Sequence, residues 1–346
     1  MLIGSGKHTY EWIDNWAKIP DTESARAGWA HHGIVVTEAG DVIIYHPGDP
    51  AVLTFDRDGN LSGSWDSGLV EGHGITIVKE GSTEYLWIAD NGNKSVKENG
   101  YKPPASLSSG QVVKKTLDGR TAMVLQQPNL AVYREGKYSP TAVAVDEERH
   151  GGNGDIWVSD GYGMYYVHRY DKNGNYISSI NGDEGAGKFS IPHGVWIDRR
   201  KPEPELYIAE HRRVEEGSRL LRFEGRVQVY DLNGNFKRVF GAEHLGAPRR
   251  GIVIENGIMI LPELNPRVAI FDAADEFVGY FSDNTEVMST DSWPNSKDES
   301  GALTRRNDLR PGIINSPHDM AMDAEGNLYL AEFLIGGRIT KLAKRS

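Results

Sequence analysis

The sequence predicts an all-β chain folded as a six-bladed β-propeller, and three observations lead there. A set of phrases recurs along the chain at intervals of roughly 40 to 50 residues, the length of one four-stranded blade. The 346 residues include 40 glycines, a proportion that implies many tight turns and few long helices. The longest apolar stretches, such as Leu86 to Ala89 and Met259 to Leu261, are the length of strands.

Each repeat carries three phrases in a fixed order. An apolar strand opens on a short phrase such as His73-Gly74-Ile75, a second apolar strand ends in an acid, and a third runs into a D-x-x-G-x turn. The turn is plainest in Asp56 to Asn60, Asp171 to Asn175 and Asp231 to Asn235, where Asp-Gly and Asn-Gly supply the positive φ of two-residue hairpins. A fourth strand, such as Tyr176 to Ile180, follows. First strands begin near His32, His73, Thr141, His193, Arg250 and His318. Second strands are Val42–Tyr45, Leu86–Asp90, Ile156–Asp160, Leu206–Glu210, Ile258–Glu263 and Leu328–Glu332. The last unit stops after three strands, at Ile339 to Leu342. The alternating aromatic stretch His8 to Trp16 is placed to supply its fourth strand, a closure that removes the open sheet edges. Inserts at Asn91–Gly110, His211–Glu224 and Ser282–Ile314 read as long loops on the faces. Residues 1–346 are thus expected to form one domain.

Composition narrows the function. A formal charge of −11 argues against nucleic acid or an anionic membrane as partner. Cysteine is absent, which excludes disulfides, thiolate ligands and a cysteine nucleophile. No apolar run is long enough for a transmembrane helix. Met1 to Tyr10 lacks the basic start and apolar core of a secretory signal. The expectation is a cytoplasmic protein whose partner is a small-molecule substrate.

Equivalent positions in a ring of blades face one another across the central channel. Four of the six strand starts hold histidine, namely His32, His73, His193 and His318, and the other two hold Thr141 and Arg250. One histidine before a glycine ordinarily caps a turn. Four of the chain's eleven histidines in one repeat phase point instead to a shared role. Three neutral imidazoles around an open position form the ligand set of a catalytic zinc ion; iron, manganese and copper accept the same donors. His32, preceded by His31, is placed either as a ligand or as a residue behind the ligands that touches substrate. The acids ending the second strands are Asp90, Asp160, Glu210, Glu263 and Glu332. Their ordinary role is to pair with Arg226, Arg267 and Arg338 on the third strands. Glutamate reaches farther than aspartate, so one of Glu210, Glu263 and Glu332 is expected to reach the site for proton transfer, with Glu210 the candidate.

The phrases Gly72-His73-Gly74-Ile75, Ser159-Asp160-Gly161-Tyr162, Phe189-Ser190-Ile191-Pro192-His193 and Ser316-Pro317-His318-Asp319-Met320 resemble, in the same order, signature segments of the peptidyl-α-hydroxyglycine α-amidating lyases. Those are the lyase half of peptide-amidating enzymes, built from NHL-type repeats, and the similarity spans roughly residues 25 to 345. It implies that His73, His193 and His318 hold zinc and that Tyr162 is a phenol beside the metal, acting as base or stabilising charge. It also implies a structural calcium held by Asp319 and the backbone carbonyls of Ile34 and Ile75, oxygen donors of the kind calcium prefers.

Two departures bear on the substrate. The family's first blade carries a His-Arg-Gly-Asp phrase whose arginine can hold a substrate carboxylate; here the stretch is Tyr45-His46-Pro47-Gly48-Asp49. Ser316 stands where a methionine precedes the last ligand. A substrate carboxylate would then need another cation, and Arg250 is the candidate, with Arg249 or Arg213 behind it. The expected activity is a metal-dependent lyase cleaving a C–N or C–O bond of a small α-hydroxyglycine or hemiaminal-like substrate. A divalent ion lowers a bound water's pKa to about 7 or stabilises an alkoxide. The same site therefore also suits an ester, lactone or amide hydrolase, with Tyr162 or His46 stabilising the oxyanion. A non-catalytic NHL propeller that binds a protein, and a calcium propeller lined with acids and asparagines, are the readings from other classes.

Overall fold

A computed structural model describes residues 1–5, 8–31, 33–102, 108–214 and 222–345. Among them the chain forms five four-stranded sheets and one of five strands, which are the six expected blades. Blade 1 comprises Ile34–Val36, Val42–Tyr45, Val52–Phe55 and Leu61–Trp65. Blade 2 comprises Gly72–Glu80, Thr83–Asp90, Gln111–Thr116 and Thr121–Leu125. Blade 3 comprises Ala142–Val145, Ile156–Ser159, Val167–Tyr170 and Tyr176–Ile180. Blade 4 comprises Ile191–Asp198, Glu205–Val214, Arg222–Asp231 and Phe236–Phe240. Blade 5 comprises Ile252–Val253, Met259–Glu263, Arg267–Phe271 and Phe277–Asp283. Blade 6 comprises Pro317–Met322, Leu328–Glu332 and Arg338–Lys344, completed by His8–Ile13.

The second strands are apolar on both faces because each blade is packed on both sides. All four side chains of Val42–Tyr45 are buried. Ile43 packs towards Ile75, Leu86 and Ile88 of blade 2, while Ile44 packs towards Tyr329 and Ala331 of blade 6. Alternate residues of a strand point to opposite faces, so one strand feeds two seams. Trp157 and Val158 divide in the same way between blades 4 and 2. Six such clusters, one per blade-to-blade seam, hold the ring together. Burying each Ile or Leu contributes about 1.5–3 kcal/mol.

His8–Ile13 pairs antiparallel with the last strand, Trp12 opposite Leu342, which closes the ring as expected. The strand Leu2–Ser5 adds a fifth member outside it. The D-x-x-G-x turns are longer than two-residue hairpins. Asp56 N–H donates to Asn60 O at 2.9 Å, only Gly59 takes positive φ, at 79°, and the pairing shifts register beside it. One positive-φ residue supports a bulged turn, whereas the shorter form needs two. The insert His211–Glu224 is partly a hairpin extension, paired as far as Val214 opposite Arg222. The insert Ser282–Ile314 holds a short two-stranded sheet, Ser296–Lys297 with Leu303–Thr304. No helix among the described residues is long and apolar enough to cross a membrane.

The acids at the ends of the second strands pin the loops that lead into the first strands. Asp90 accepts the N–H of Glu71 at 2.9 Å and Asp160 that of Ser139 at 2.6 Å. Glu210 accepts from Ser190 at 2.8 Å, Glu263 from Gly246 and Glu332 from Asn315 at 2.6 Å. The three glutamates also pair with Arg226 at 2.7 Å, Arg267 at 2.8 Å and Arg338 at 3.1 Å. The acids are thus internal clips. Each holds the stretch just before a ring position, and that is how sheet order is passed to the site.

Candidate metal centre

His73, His193 and His318 all sit at bulges. The pairing of the first strand with the second shifts register between Gly72 and Gly74, between Pro192 and Gly194 and between Pro317 and Asp319. The extra residue is the histidine each time. A bulge re-aims one side chain without disturbing the strand beyond it, and here it turns three imidazoles toward the axis. The three are buried, and one ligand nitrogen from each lies within 4.8 Å of the others. Ring centroids are 4.6 Å apart for His73 and His193, 4.8 Å for His73 and His318, and 5.3 Å for His193 and His318.

The donor set suits a transition metal, which needs unprotonated imidazole. Burial holds the His73 pKa down to about 3, with Arg249 lowering it further and a backbone bond to Thr141 working the other way. His193 is pushed well below its ordinary value by burial, with Arg249 and the neighbouring histidines adding to the effect. His73 Nδ1 lies 2.9 Å from Thr141 O; donating there leaves Nε2 as the free donor atom for an ion, the usual second-sphere arrangement.

Tyr162 completes the cluster. Its hydroxyl lies 3.2 Å from His73 Nε2 and 3.0 Å from His193 Nε2. The residue is 38% exposed overall, yet the hydroxyl end is enclosed; burial raises its pKa and Arg249 opposes the rise. Asp160 fixes the turn that presents it, accepting the N–H groups of Ser139 and Met164, both at 2.6 Å.

The cavity below is lined by His73, Thr141, His193, Arg249, Arg250, His318 and Asp319. Of the two arginines, Arg249 is the one at the ring position. Pro248 bridges Glu263 as Pro192 pairs with Glu210 and Pro317 with Glu332, so the next residue, Arg249, is the counterpart of His193 and His318. The expectation of Arg250 is one residue out, because the run of two arginines offers no histidine to anchor the register. Arg249 is 3% exposed. Its Nη1 donates to Ala247 O at 3.1 Å and Pro248 O at 3.4 Å, and its Nε has no hydrogen-bond partner among the described residues. Burial lowers its pKa to about 10.

Several expected residues stand elsewhere. Glu210 is spent on Ser190 N–H, Arg226 and Gln228, so its extra length reaches a neighbouring loop and an arginine, not the axis. His46 is buried but absent from the cavity lining; its Nδ1 accepts Gly48 N–H at 3.0 Å. It follows the second strand of blade 1, where other blades carry the acid. Arg213 is exposed on the hairpin extension. His32 lies outside the described residues. Its neighbour His31 is described, with ring centroids 5.6 Å from both His73 and His318 and Nδ1 3.8 Å from Glu71 Oε1. Burial raises the Glu71 pKa to about 8. His211, another buried imidazole, lies 5.6 Å from His193. Glu71, His31 and His211 fall outside the repeat phase, so the sequence pattern passed over them.

The oxygen donors expected to hold calcium do not fit that ion. Arg250 Nη2 lies 3.3 Å from Ile34 O, 3.5 Å from Asp319 Oδ1 and 3.4 Å from Met320 O, and Nη1 lies 3.5 Å from Ile75 O. A guanidinium already stands among them.

Together these features define a class: a six-bladed β-propeller with a buried three-histidine cluster, able to hold a metal ion, at the head of its inner strands. No family model matches the chain, and no curated protein matches it. Solved structures do resemble it in fold. A gluconolactonase from Xanthomonas campestris gives a TM-score of 0.59 at 11% identity, covering 99% of this chain and 95% of that one. A Bacteroides thetaiotaomicron protein of unknown function gives 0.56 at 17% identity, covering 98% and 73%. A streptogramin B lyase gives 0.54 at 13% identity, covering 97% and 98%.

Proposed function

We propose that this chain is a metal-dependent lyase acting on a small α-hydroxyglycine-like substrate, with His73, His193 and His318 as ligands. The observation that carries the reading is the Tyr162 hydroxyl, lodged between His73 Nε2 and His193 Nε2 in a cluster whose cavity a buried Arg249 lines. When bound there, a divalent ion supplies positive charge beside a substrate oxygen. Arg249, with Nε unpartnered among the described residues, binds the substrate carboxylate and fixes the hydroxyl-bearing carbon below Tyr162. Tyr162 Oη, a neutral phenol whose pKa burial raises, gives its proton to the departing nitrogen and takes up the hydroxyl proton as the C–N bond breaks, so it starts and ends protonated. The net proton movement is from oxygen to nitrogen, an aldehyde and an amide (an amine where the nitrogen is not acylated) result, and no redox partner is needed. Positioned proton transfer of this kind contributes about 10²–10⁴-fold in rate. The acid clips hold the ligands and Tyr162 in place, which limits the reorganisation needed during turnover.

Hydrolysis of a lactone or ester is the second reading, favoured by the fold likeness to a gluconolactonase. The four phrases that resemble the amidating lyases, which contribute His73, Tyr162, His193 and His318, favour the lyase. The test is glyoxylate release from small α-hydroxyglycine derivatives, run beside a panel of lactones and esters. Glyoxylate formation that a chelator abolishes supports the lyase. Hydrolysis without glyoxylate would replace it with the second reading.

A further inference from the structure

One layer below the ligand ring, the next residues around the axis are Gly33, Gly74, Ala142, Gly194, Arg250 and Asp319. The glycines are required by the closeness of the inner strands: a Cβ on Gly74 would lie 2.3 Å from Thr141 O, and one on Gly33 2.6 Å from Ile75 N. Small residues at four positions leave room for one long side chain to cross the tunnel. Arg250 does so. Its guanidinium meets Ile34 O of blade 1, Ile75 O of blade 2, and Asp319 Oδ1 with Met320 O of blade 6. Asp319 is itself fixed, accepting Ile34 N–H at 3.1 Å and Met320 N–H at 2.9 Å. It is 8% exposed, and the Arg250 side chain 22%.

Backbone carbonyls plus one carboxylate are the donors of a hard divalent cation. We propose that Arg250 replaces such a cation: a covalently attached positive charge from blade 5 that ties blades 1, 2 and 6 together, so that the propeller needs no calcium. The guanidinium offers several N–H donors in a planar fork, enough to serve oxygens from three blades at once. Unlike a bound ion, it cannot dissociate or be chelated. Removing it leaves an oxygen-lined site that calcium can enter.

The test uses the full-length protein and does not depend on activity. Calcium and transition metals are measured by elemental analysis in the same sample, which separates this site from the histidine cluster. Melting curves are then recorded in EGTA and in millimolar calcium for the wild type, Arg250→Ala and Arg250→Lys. The wild type is expected to hold no stoichiometric calcium and to melt at the same temperature in both buffers. Arg250→Ala is expected to melt lower in EGTA and to recover in calcium, as linkage requires of a ligand bound only by the folded state. Arg250→Lys, which keeps the charge, is expected to respond to calcium less than Arg250→Ala. Stoichiometric calcium in the wild type would overturn the proposal. So would an Arg250→Ala protein that melts like the wild type or gains nothing from calcium. Should Arg250→Ala not fold, the wild-type calcium content and the lysine variant still decide.

Discussion

Replacing Arg249 with methionine removes a buried charge while nearly preserving the length of the side chain. Burial lowers the guanidinium pKa to about 10, and at 1.36 kcal/mol per pKa unit a depression of that size is worth about 3 kcal/mol. A base whose folded pKa is depressed is destabilising wherever both states are protonated, so at neutral pH the folded chain carries the full cost. Methionine relieves it. Against the gain stand the hydrogen bonds to Ala247 O and Pro248 O, about 0.5–1.5 kcal/mol each. Arg249→Met is therefore expected to stabilise the metal-free protein by about 1–2 kcal/mol, read from denaturant unfolding by linear extrapolation. The same change is expected to reduce kcat/KM on a carboxylate-bearing substrate much more than on its neutral amide. A residue that costs stability and serves activity is the usual trade at a functional site. A variant less stable than the wild type by more than about 1 kcal/mol would refute the reasoning, because Arg249 would then be a structural cation with an adequate partner.

Three further outcomes are expected. Glu332→Ala removes one of the two carboxylates that pair with Arg338, the other being Asp14, and leaves two backbone N–H groups without that acceptor; at about 1–3 kcal/mol per unsatisfied buried donor the loss is about 2–4 kcal/mol, and the Glu332→Ala/Arg338→Met double variant should lose less than the sum of the single changes. Burial holds the His168 pKa at about 3, against about 6.5 unfolded, so its contribution is lost as pH falls below 6.5; at pH 5 this amounts to about 2 kcal/mol, and stability curves for His168→Gln should decline less between pH 7 and 5 by that amount. Tyr162→Phe should lower kcat by about 10²–10⁴-fold with metal content and melting temperature unchanged; unchanged turnover would remove Tyr162 from the chemistry.

The blades and the buried histidine cluster were legible because each rests on a repeated local cause. Apolar second strands, turns with a glycine at positive φ, and histidines at one phase of the repeat are all visible in one dimension. What stayed hidden depended on register or on partners distant in sequence. Arg249 and Arg250 differ by one position, and only the bridge of Pro248 to Glu263 decides which faces the ligands. Glu210 was a plausible proton carrier until its place beside Ser190 and Arg226 was known. Nothing in the spacing of Ile34, Ile75 and Asp319 reveals that a side chain from blade 5, Arg250, crosses to meet them. His31 and His211 stand beside the cluster, and Glu71 beside His31, at positions that follow no repeat.

The central claim is that three histidines from separate blades share one metal ion. Elemental analysis of the wild type and of His193→Ala, both purified from cells grown with added zinc, iron and manganese, tests it most directly. One transition-metal ion per chain in the wild type, and far less in a variant with the same far-ultraviolet circular dichroism, is the expected result. A wild type without metal, or a variant that retains it in full, would contradict the claim.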